Sequence, residues 1–212
     1  MKTLAFFFLL GGVGMNAVDI CNMALSLLKV TSITSLDGKS EQSIQCKRFY
    51  DYVRQNELRS EEWTFARRIK SLTLTTHDAG RWRFGYLYPP DCLNVLAVYE
   101  KGNWQGESSV DTYDIFSVSE AERMIACDFE QAILEYTYDM KNVEQFPPDF
   151  VKVLVHALAT ELAIPLTANE GLQQANFSLH QQAKQGALKA NHNEDRQHFH
   201  FESEILNARL GG

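Results

Sequence analysis

The sequence lacks an excess of basic residues. It carries 27 acidic side chains against 20 basic ones, a formal net charge of −7. Proteins that grip nucleic acid through its phosphates usually carry a basic surplus. The composition therefore argues against tight, salt-sensitive DNA binding. It still allows an acidic surface past which DNA slides, because like charges repel.

Cysteine is scarce and widely spaced. Cys21, Cys46, Cys92 and Cys127 form no CxxC pair and show no zinc-like spacing. An even count permits two disulfides, but a chain of 212 residues can bury a sufficient core without them. We expect buried free thiols.

Catalytic motifs and internal repeats are also missing. The chain contains no GxSxG motif, and no cysteine lies in a motif that lowers its pKa. The glycine-rich stretch Gly11–Gly14 lacks the Lys-Ser/Thr pair that completes a phosphate-binding loop. No repeat of solenoid period is present. The sequence predicts no catalytic residue, cofactor or metal, and we expect that the protein is not an enzyme.

Two sets of polar residues keep other chemistries open. Metal-ligand side chains cluster near the C-terminus, on a predicted fraying helix end that offers no rigid frame, and they are His192, Glu194, Asp195, His198 and His200. We favour a solvated or interface segment there. Carboxylates alternate along predicted strands, where an exposed acidic face is expected, and they are Asp128, Glu130, Glu135 and Asp139. An acid and a base from this set would suit a glycosidase, so a tail-associated peptidoglycan or glycan hydrolase remains the alternative function.

Two histidines are isolated in the sequence. His77 and His156 stand apart from other candidate ligands in the sequence. We expect His156 to be a hydrogen-bonded histidine of the core.

The first fourteen residues differ from the rest. Lys2 precedes an apolar run from Leu4 to Leu10, which is typical of a short signal peptide and too short to span a bilayer. Three interpretations stay open: translation begins at Met15, the segment is a retained arm, or it is a cleaved signal. We favour the start at Met15.

Two helices are predicted before the middle of the chain. Asn16 is a good N-cap, with Asp19 in the first turn of a helix over residues 17–28. Ser40 is an N-cap for a second helix that runs to about Ser60. We place its charged side chains largely off the apolar face, namely Lys47, Arg48, Arg54 and Arg59.

The middle of the chain changes to strands. Alternating or β-branched runs occupy residues 69–75, 93–100, 124–128 and 132–139. Pro89 and Pro90 close a loop, since proline does not fit a central strand, and residues 106–114 resemble an exposed loop. We predict one antiparallel sheet of four to six strands.

Two further helices follow. Pro147 and Pro148 mark the start of a helix that reaches about Leu162 and is apolar on nearly every face, and Pro165 should end or kink it. A last helix starts near Asn169 and reaches His192 or beyond. Its thin apolar stripe consists of Leu172, Ala175, Leu179, Ala183, Ala187 and Ala190. The tail over 197–212 should be extended.

The predicted fold class is α+β. We expect a four-helix bundle with an antiparallel β-sheet inserted between the second and third helices. Residues 15–196 form the main domain, with helices in 16–62 and 148–196 and the β insertion in 67–140. Residues 1–14 are an extension, and 197–212 are a C-terminal tail.

Four ordered pieces of sequence carry a family likeness. They are Asn22–Leu28 (NMALSLL), Tyr88–Leu93 (YPPDCL), Phe146–Phe150 (FPPDF) and Leu158–Thr167 (LATELAIPLT). In order and spacing they resemble the head-to-tail adaptors, or tail tubular protein A family, of tailed bacteriophages. The likeness covers roughly residues 16–190. The first fourteen residues and the histidine-rich tail depart from the family.

The resemblance implies a structural subunit of a closed ring, commonly a dodecamer, in the virion. The ring would sit below the portal protein, dock the tail nozzle (tail tubular protein B) and let double-stranded DNA pass without sequence-specific binding. Assembly would occur in the host cytoplasm, with no membrane. The C-terminal tail would reach the portal, with Phe201, Ile205, Leu206, Arg209 and Leu210 as candidate contacts.

One basic and aromatic segment is a second candidate contact. Arg81, Trp82, Arg83 and Phe84 alternate cation and ring, and Arg67, Arg68 and Lys70 lie upstream in the sequence. Such interleaving can bind nucleic acid or dock a protein on a strand edge. We favour docking of a protein partner.

Overall fold

The computed structural model describes residues 14–102, 112–120 and 122–210, with side chains as far as residue 193. Helices and antiparallel strands both occur there, which confirms the α+β class. The helices are α1 (Ala17–Leu27), α2 (Glu41–Ser60), α3 (Pro148–Thr167) and α4 (Glu170–Leu210). The strands are β1 (Arg67–Ser71), β2 (Phe84–Leu87), β3 (Cys92–Glu100), β4 (Tyr113–Ser117), β5 (Arg123–Cys127) and β6 (Ala132–Tyr138).

The chain divides into two compact units. The helical unit comprises the described residues up to Val53 together with Lys141–Ala187. The β unit comprises Arg54–Met140 together with the chain from Leu188 onwards. Whether residues 15–196 act as one domain stays a prediction.

Helices α1 and α2 begin where the sequence predicts. The Asn16 side chain accepts hydrogen bonds from the backbone N–H groups of Val18 and Asp19, and the Asp19 carboxylate accepts the Asn16 N–H, which completes a capping box. The Ser43 N–H donates to Ser40 Oγ at 3.2 Å. These caps satisfy N–H groups that a helix start leaves without partners, so both predicted starts are confirmed.

Helix α3 supplies much of the apolar core of the helical unit. Leu154, Leu158 and Leu162 are fully buried, as are Ile20 and Leu25 of α1. Burial of this size contributes about 2 kcal/mol for each large side chain. The prediction of a helix buried nearly all round is confirmed.

Pro165 does not end α3. The helix continues to Thr167 and stops at Ala168, which has a left-handed backbone (φ 49°) and donates its N–H to the Ile164 carbonyl. Proline removes only one hydrogen bond in the last turn, so the helix tolerates it there.

The strands form two sheets instead of the single sheet predicted. One three-stranded sheet has the order β1-β6-β3 and the other has the order β2-β5-β4, and every pairing is antiparallel. The predicted strand over 69–75 divides between them. Leu72 donates its N–H to Ala132, whereas Thr73 accepts from the Leu87 N–H on β2. The alternating pattern continues through this change of partner, so it could not reveal the break.

Strands β2 and β4 were missed. In β2, a Cβ at Gly85 would come within 2.5 Å of Met124 Sδ, so this strand carries a glycine because its neighbour approaches closely. Tyr113 and Asp114 belong to β4, so the predicted loop over 106–114 is wrong at its end. The rest of that loop, residues 106–111, lies outside the described residues.

The core of the β unit lies between the two sheets. Tyr86 and Ile125 of one sheet cluster with Val98, Leu134 and Tyr136 of the other. A smaller cluster of Ala79, Met124 and Ala126 lies apart from it and is covered by Trp82, Phe116 and Val118.

Helix α4 departs most from expectation. It stays helical to Leu210, so the prediction of an extended tail is wrong through that residue. No proline follows Pro165, and after Gly186 no glycine occurs before Gly211, so the sequence offers no strong breaker. The predicted apolar stripe is wrong at Ala175 and Leu179, which are exposed, and right at Ala187, which is buried. Up to residue 193, the other buried positions of α4 are Asn176, His180 and Asn191.

Candidate interaction surfaces

The basic and aromatic segment at residues 81–84 is built into the β unit. The Asp114 carboxylate of β4 accepts from Arg81 Nη2 at 2.9 Å and from Trp82 Nε1 at 2.8 Å. The Arg83 backbone N–H donates to Asp128 Oδ1 at 3.0 Å. These bonds hold the loop before β2 against β4 and the end of β5.

The two rings of this segment serve different clusters. Trp82 is half-buried over Met124 and Ala126, whereas Phe84 packs against the core between the sheets. Arg81 and Arg83 are exposed, and their guanidinium carbons lie 4.9 and 5.3 Å from the centroids of the following rings. A docked partner would therefore meet the arginines, while the aromatic rings stabilise the β unit.

Arginine stacking recurs on the β unit. The Arg68 guanidinium carbon lies 3.2 Å from the centroid of the Tyr138 ring, and that of Arg123 lies 4.0 Å from the Tyr88 ring. Burial, with the Cys92 thiol beside it, raises the pKa of Tyr88 to about 12. Stacking fixes the exposed guanidinium groups in place and leaves their edges available to carboxylates.

A cleft lies beside these cations in the β unit. Its volume is about 490 Å³, and it is lined by the end of β1, by the segment that follows β2 and by Glu122 and Arg123. Burial raises the pKa of the Cys92 thiol, which also lines the cleft. A neutral thiol is a weak nucleophile, so this geometry favours binding over covalent chemistry.

The β unit contains a buried ion pair that the sequence does not predict. We placed Arg54 off the apolar face of α2, yet its side chain is only 1% exposed. It donates to Asp139 Oδ1 at 2.5 Å and to the Met140 carbonyl at 2.7 Å. The partners are more than eighty residues away in sequence, and helical periodicity carries no information about them.

The four carboxylates considered for hydrolysis lie in separate contacts. Asp139 binds Arg54, and Glu135 lies 3.4 Å from Arg67 Nε and accepts from the Tyr99 hydroxyl at 3.0 Å. Asp128 accepts the Arg83 N–H. Glu130 lines a small cavity of about 240 Å³. The expected exposed acidic face is wrong for Glu135 and Asp139, because Glu135 lies beside Arg67 of β1 and Asp139 binds Arg54 of α2.

The two isolated histidines occupy different positions. His77 Nε2 lies 3.5 Å from Glu122, and both side chains are exposed. His156 is half-buried in α3, where burial lowers its pKa and a hydrogen bond with Asn176 opposes that shift. Its Nδ1 atom has no partner among the described residues, so the expectation of a satisfied core histidine is wrong for that atom.

The predicted C-terminal contacts cannot be located at the level of side chains. The backbone of Phe201, Ile205, Leu206, Arg209 and Leu210 is helical, but these side chains lie outside the described part, as do those of Glu194, Asp195, His198 and His200. His192 is exposed. Within the described residues, no group of three or more potential ligands could hold a metal ion.

The helical unit has an apolar groove of its own. Its volume is about 660 Å³, and its apolar lining includes Met15, Met23, Phe146, Val151 and Val155. Met23 and Leu27 lie one turn apart on α1, and each is 37% exposed. Soluble monomers seldom leave such side chains together in water, so the groove is a candidate contact surface.

Phe177 and Leu179 of α4 are also exposed in the helical unit, at 45% and 43%. Within the described residues, α3 alone is long and apolar enough to cross a membrane, and most of it is buried in the helical unit, as in a core helix.

Neither a protein-family model nor a curated protein matches this chain.

Proposed function

We propose that this chain is a structural subunit of the head-to-tail connector ring of a tailed bacteriophage. It would join the portal protein to the tail nozzle in the virion, and double-stranded DNA would pass through the ring without sequence-specific binding. The ordered motifs between residues 22 and 167 support the family, and the chain's net charge of −7 suits a channel that does not retain DNA.

The exposed apolar surface of the helical unit carries the proposal. Met23 and Leu27 on α1, the groove beside Val151 and Val155, and Phe177 on α4 present large side chains to water. A ring subunit needs two different faces, one for each neighbour, because head-to-tail contacts are not self-complementary. Apolar side chains on separate helices meet that need.

We further propose that the four helices pack as one bundle. In the helical unit α1 packs against α3, and the first part of α2 and the part of α4 up to Ala187 belong to the same unit. The buried side chains of α3 on nearly every face support a position at the centre of such a bundle.

Electron microscopy of the purified chain, with and without the portal protein of the same phage, tests the function. We expect closed rings, at least when the portal is present. A Met23→Glu/Leu27→Glu variant should form far fewer rings, because charge in an apolar interface is costly. Ser26→Glu, an exposed position of the same helix, is the control. A chain that stays monomeric and unbound in the presence of the portal would contradict the proposal.

A further inference from the structure

Strand β1 has an open outer edge. Leu72 donates its N–H to Ala132, which identifies the hydrogen-bonded pairs between β1 and β6 as Lys70 with Leu134 and Arg68 with Tyr136. Ile69 and Ser71 lie between those pairs, so their backbone groups point away from β6. Among the described residues, no hydrogen bond is made to the backbone on that outer side of Ile69 and Ser71.

A proline keeps this edge open. Thr73 and Thr75 pair with Leu87 and Gly85 of β2 on the same outer side. Continued by two residues, this alignment would place Ser71 opposite Pro89, which has no N–H to donate. The chain after β2 therefore separates from β1 at Tyr88. The cleft of about 490 Å³ lies at this separation and is lined by Ser71 and Pro89.

The side chains beside the open edge are mostly cationic. Arg68, Lys70 and Arg123 are exposed around it, and Ile69 is 52% exposed. Glu122 is the acidic residue in the cleft lining, and it lies 3.5 Å from His77. An acidic, extended segment would complement this edge.

Strand β4 provides such a segment in the same chain. Val118 donates its N–H to the backbone carbonyl of Glu122. The hydrogen-bonded pairs between β4 and β5 therefore involve Asp114 and Phe116, while the backbone groups of Ile115 and Ser117 point outward. Ile115 is 36% exposed, the Asp114 side chain is 40% exposed, and Glu120 follows the strand as another exposed carboxylate. Because Asp114 already binds Arg81, Glu120 is the carboxylate that remains to meet the basic edge of β1.

We infer that β1 of one copy pairs with β4 of the next copy, so that a sheet continues from subunit to subunit. The inference rests on the proposed ring and adds a contact between β units to the apolar contacts of the helical units. Pairing two different edges gives a head-to-tail interface, which is the kind that closes into a ring. Backbone hydrogen bonds supply the attraction, and the attraction between Glu120 and the cations beside β1 favours β4 as its partner.

Cross-linking between copies tests the pairing. Protein with Ser71→Cys is mixed with protein with Ser117→Cys and treated with a short bismaleimide, with and without the portal protein. The four native cysteines are buried, so the new thiols should react first. We expect the mixed cross-link to exceed either self cross-link, as measured by intact mass.

Two further variants make the test specific. Ile115→Pro is added to the Ser117→Cys protein, where it removes an outward N–H and keeps the pairing with β5. It should reduce the mixed cross-link roughly tenfold. Ile115→Ala is the control and should leave the cross-link unchanged. Lys70→Glu should reduce it as well, with Lys101→Glu, an exposed lysine of the same unit, as the control. Circular dichroism checks that each variant folds.

The outcomes separate this pairing from the ring itself. Rings without the mixed cross-link, or with a cross-link insensitive to Ile115→Pro, overturn the pairing and leave the ring standing. A specific cross-link without rings, even with portal, overturns the ring. If Lys70→Val strengthened the association between copies, the charge of Lys70 would be preventing strand pairing at this edge, and the inference would be overturned.

Discussion

The two units of this chain are stabilised in different ways. The helical unit depends on apolar side chains such as Ile20, Leu154 and Leu158, which are fully buried. The β unit also has an apolar core, but charged and polar side chains fix its irregular segments. Arg54 binds Asp139, and Arg81 binds Asp114.

This difference predicts how each unit responds to mutation. In an apolar core the cost of a substitution follows the volume removed, and neighbours can partly compensate. In a polar network, removal of one partner leaves the other buried with fewer hydrogen bonds than it needs. The following variants test the comparison, from the largest expected effect to the smallest.

Arg54→Ala should be the most damaging. It leaves Asp139, whose side chain is 12% exposed, without its cation and the Met140 carbonyl without a donor. Breaking a buried pair in this way costs about 4 kcal/mol in the free energy of unfolding, measured by urea denaturation. Arg81→Ala, from an exposed pair, should cost at most about 1 kcal/mol. Equal losses would remove the contrast between buried and exposed pairs.

Leu158→Ala tests the helical unit. Leu158 is fully buried in α3, and the cavity left by truncation should lower the free energy of unfolding by about 3 kcal/mol. Leu179→Ala on α4 is the matched control, since Leu179 is 43% exposed and should lose less than about 0.5 kcal/mol. If both substitutions lowered the free energy of unfolding equally, the buried volume removed would not determine the stability loss in this unit.

Asn191→Ala tests a polar contact of α4 in the β unit. The Asn191 Oδ1 atom accepts from the N–H and the hydroxyl of Thr64, both at 2.9 Å, and its Nδ2 donates to the Glu62 carbonyl at 2.8 Å. Losing these bonds should cost about 2 kcal/mol by thermal or urea unfolding. The exposed Asn193→Ala is the control. No loss at Asn191 would mean that water replaces its bonds.

The smallest effect should be a pH dependence from His156. Burial lowers its pKa in the folded chain, so the unfolded chain binds the proton more readily. Stability from this group should be complete above pH about 6.5 and decline as the pH falls below that value. His156→Gln should flatten the decline in urea unfolding measured between pH 7 and pH 5. An unchanged slope would assign the dependence to other groups.

Local sequence rules predicted the first three helices well, but not the length of α4. Asn16 and Ser40 cap α1 and α2 as expected, because a cap involves only neighbours within three residues. The long apolar run of α3 likewise predicts burial without knowledge of its partner. The strands were predicted less well, since the run over 69–75 changes sheets at Leu72 while its alternation continues.

The candidate surfaces were predicted only in part. The segment at residues 81–84 was found from its composition, but composition could not show that Trp82 and Phe84 belong to different clusters. The open edge of β1 was missed because it depends on the register of Thr73 against Leu87 and on the place of Pro89 in that register.

The sequence by itself determined the α+β class, the starts of α1 and α2, the apolar character of α3 and the expectation of free thiols, which the buried cysteines confirm. Each of these follows from neighbouring residues or from composition. Only the tertiary structure decided that Arg54 is buried, that α4 buries Asn176 and Asn191, and that the outer edge of β1 has no backbone partner among the described residues. Those features depend on partners far away in the chain, and the energy of a buried polar group is set by the partner that it meets.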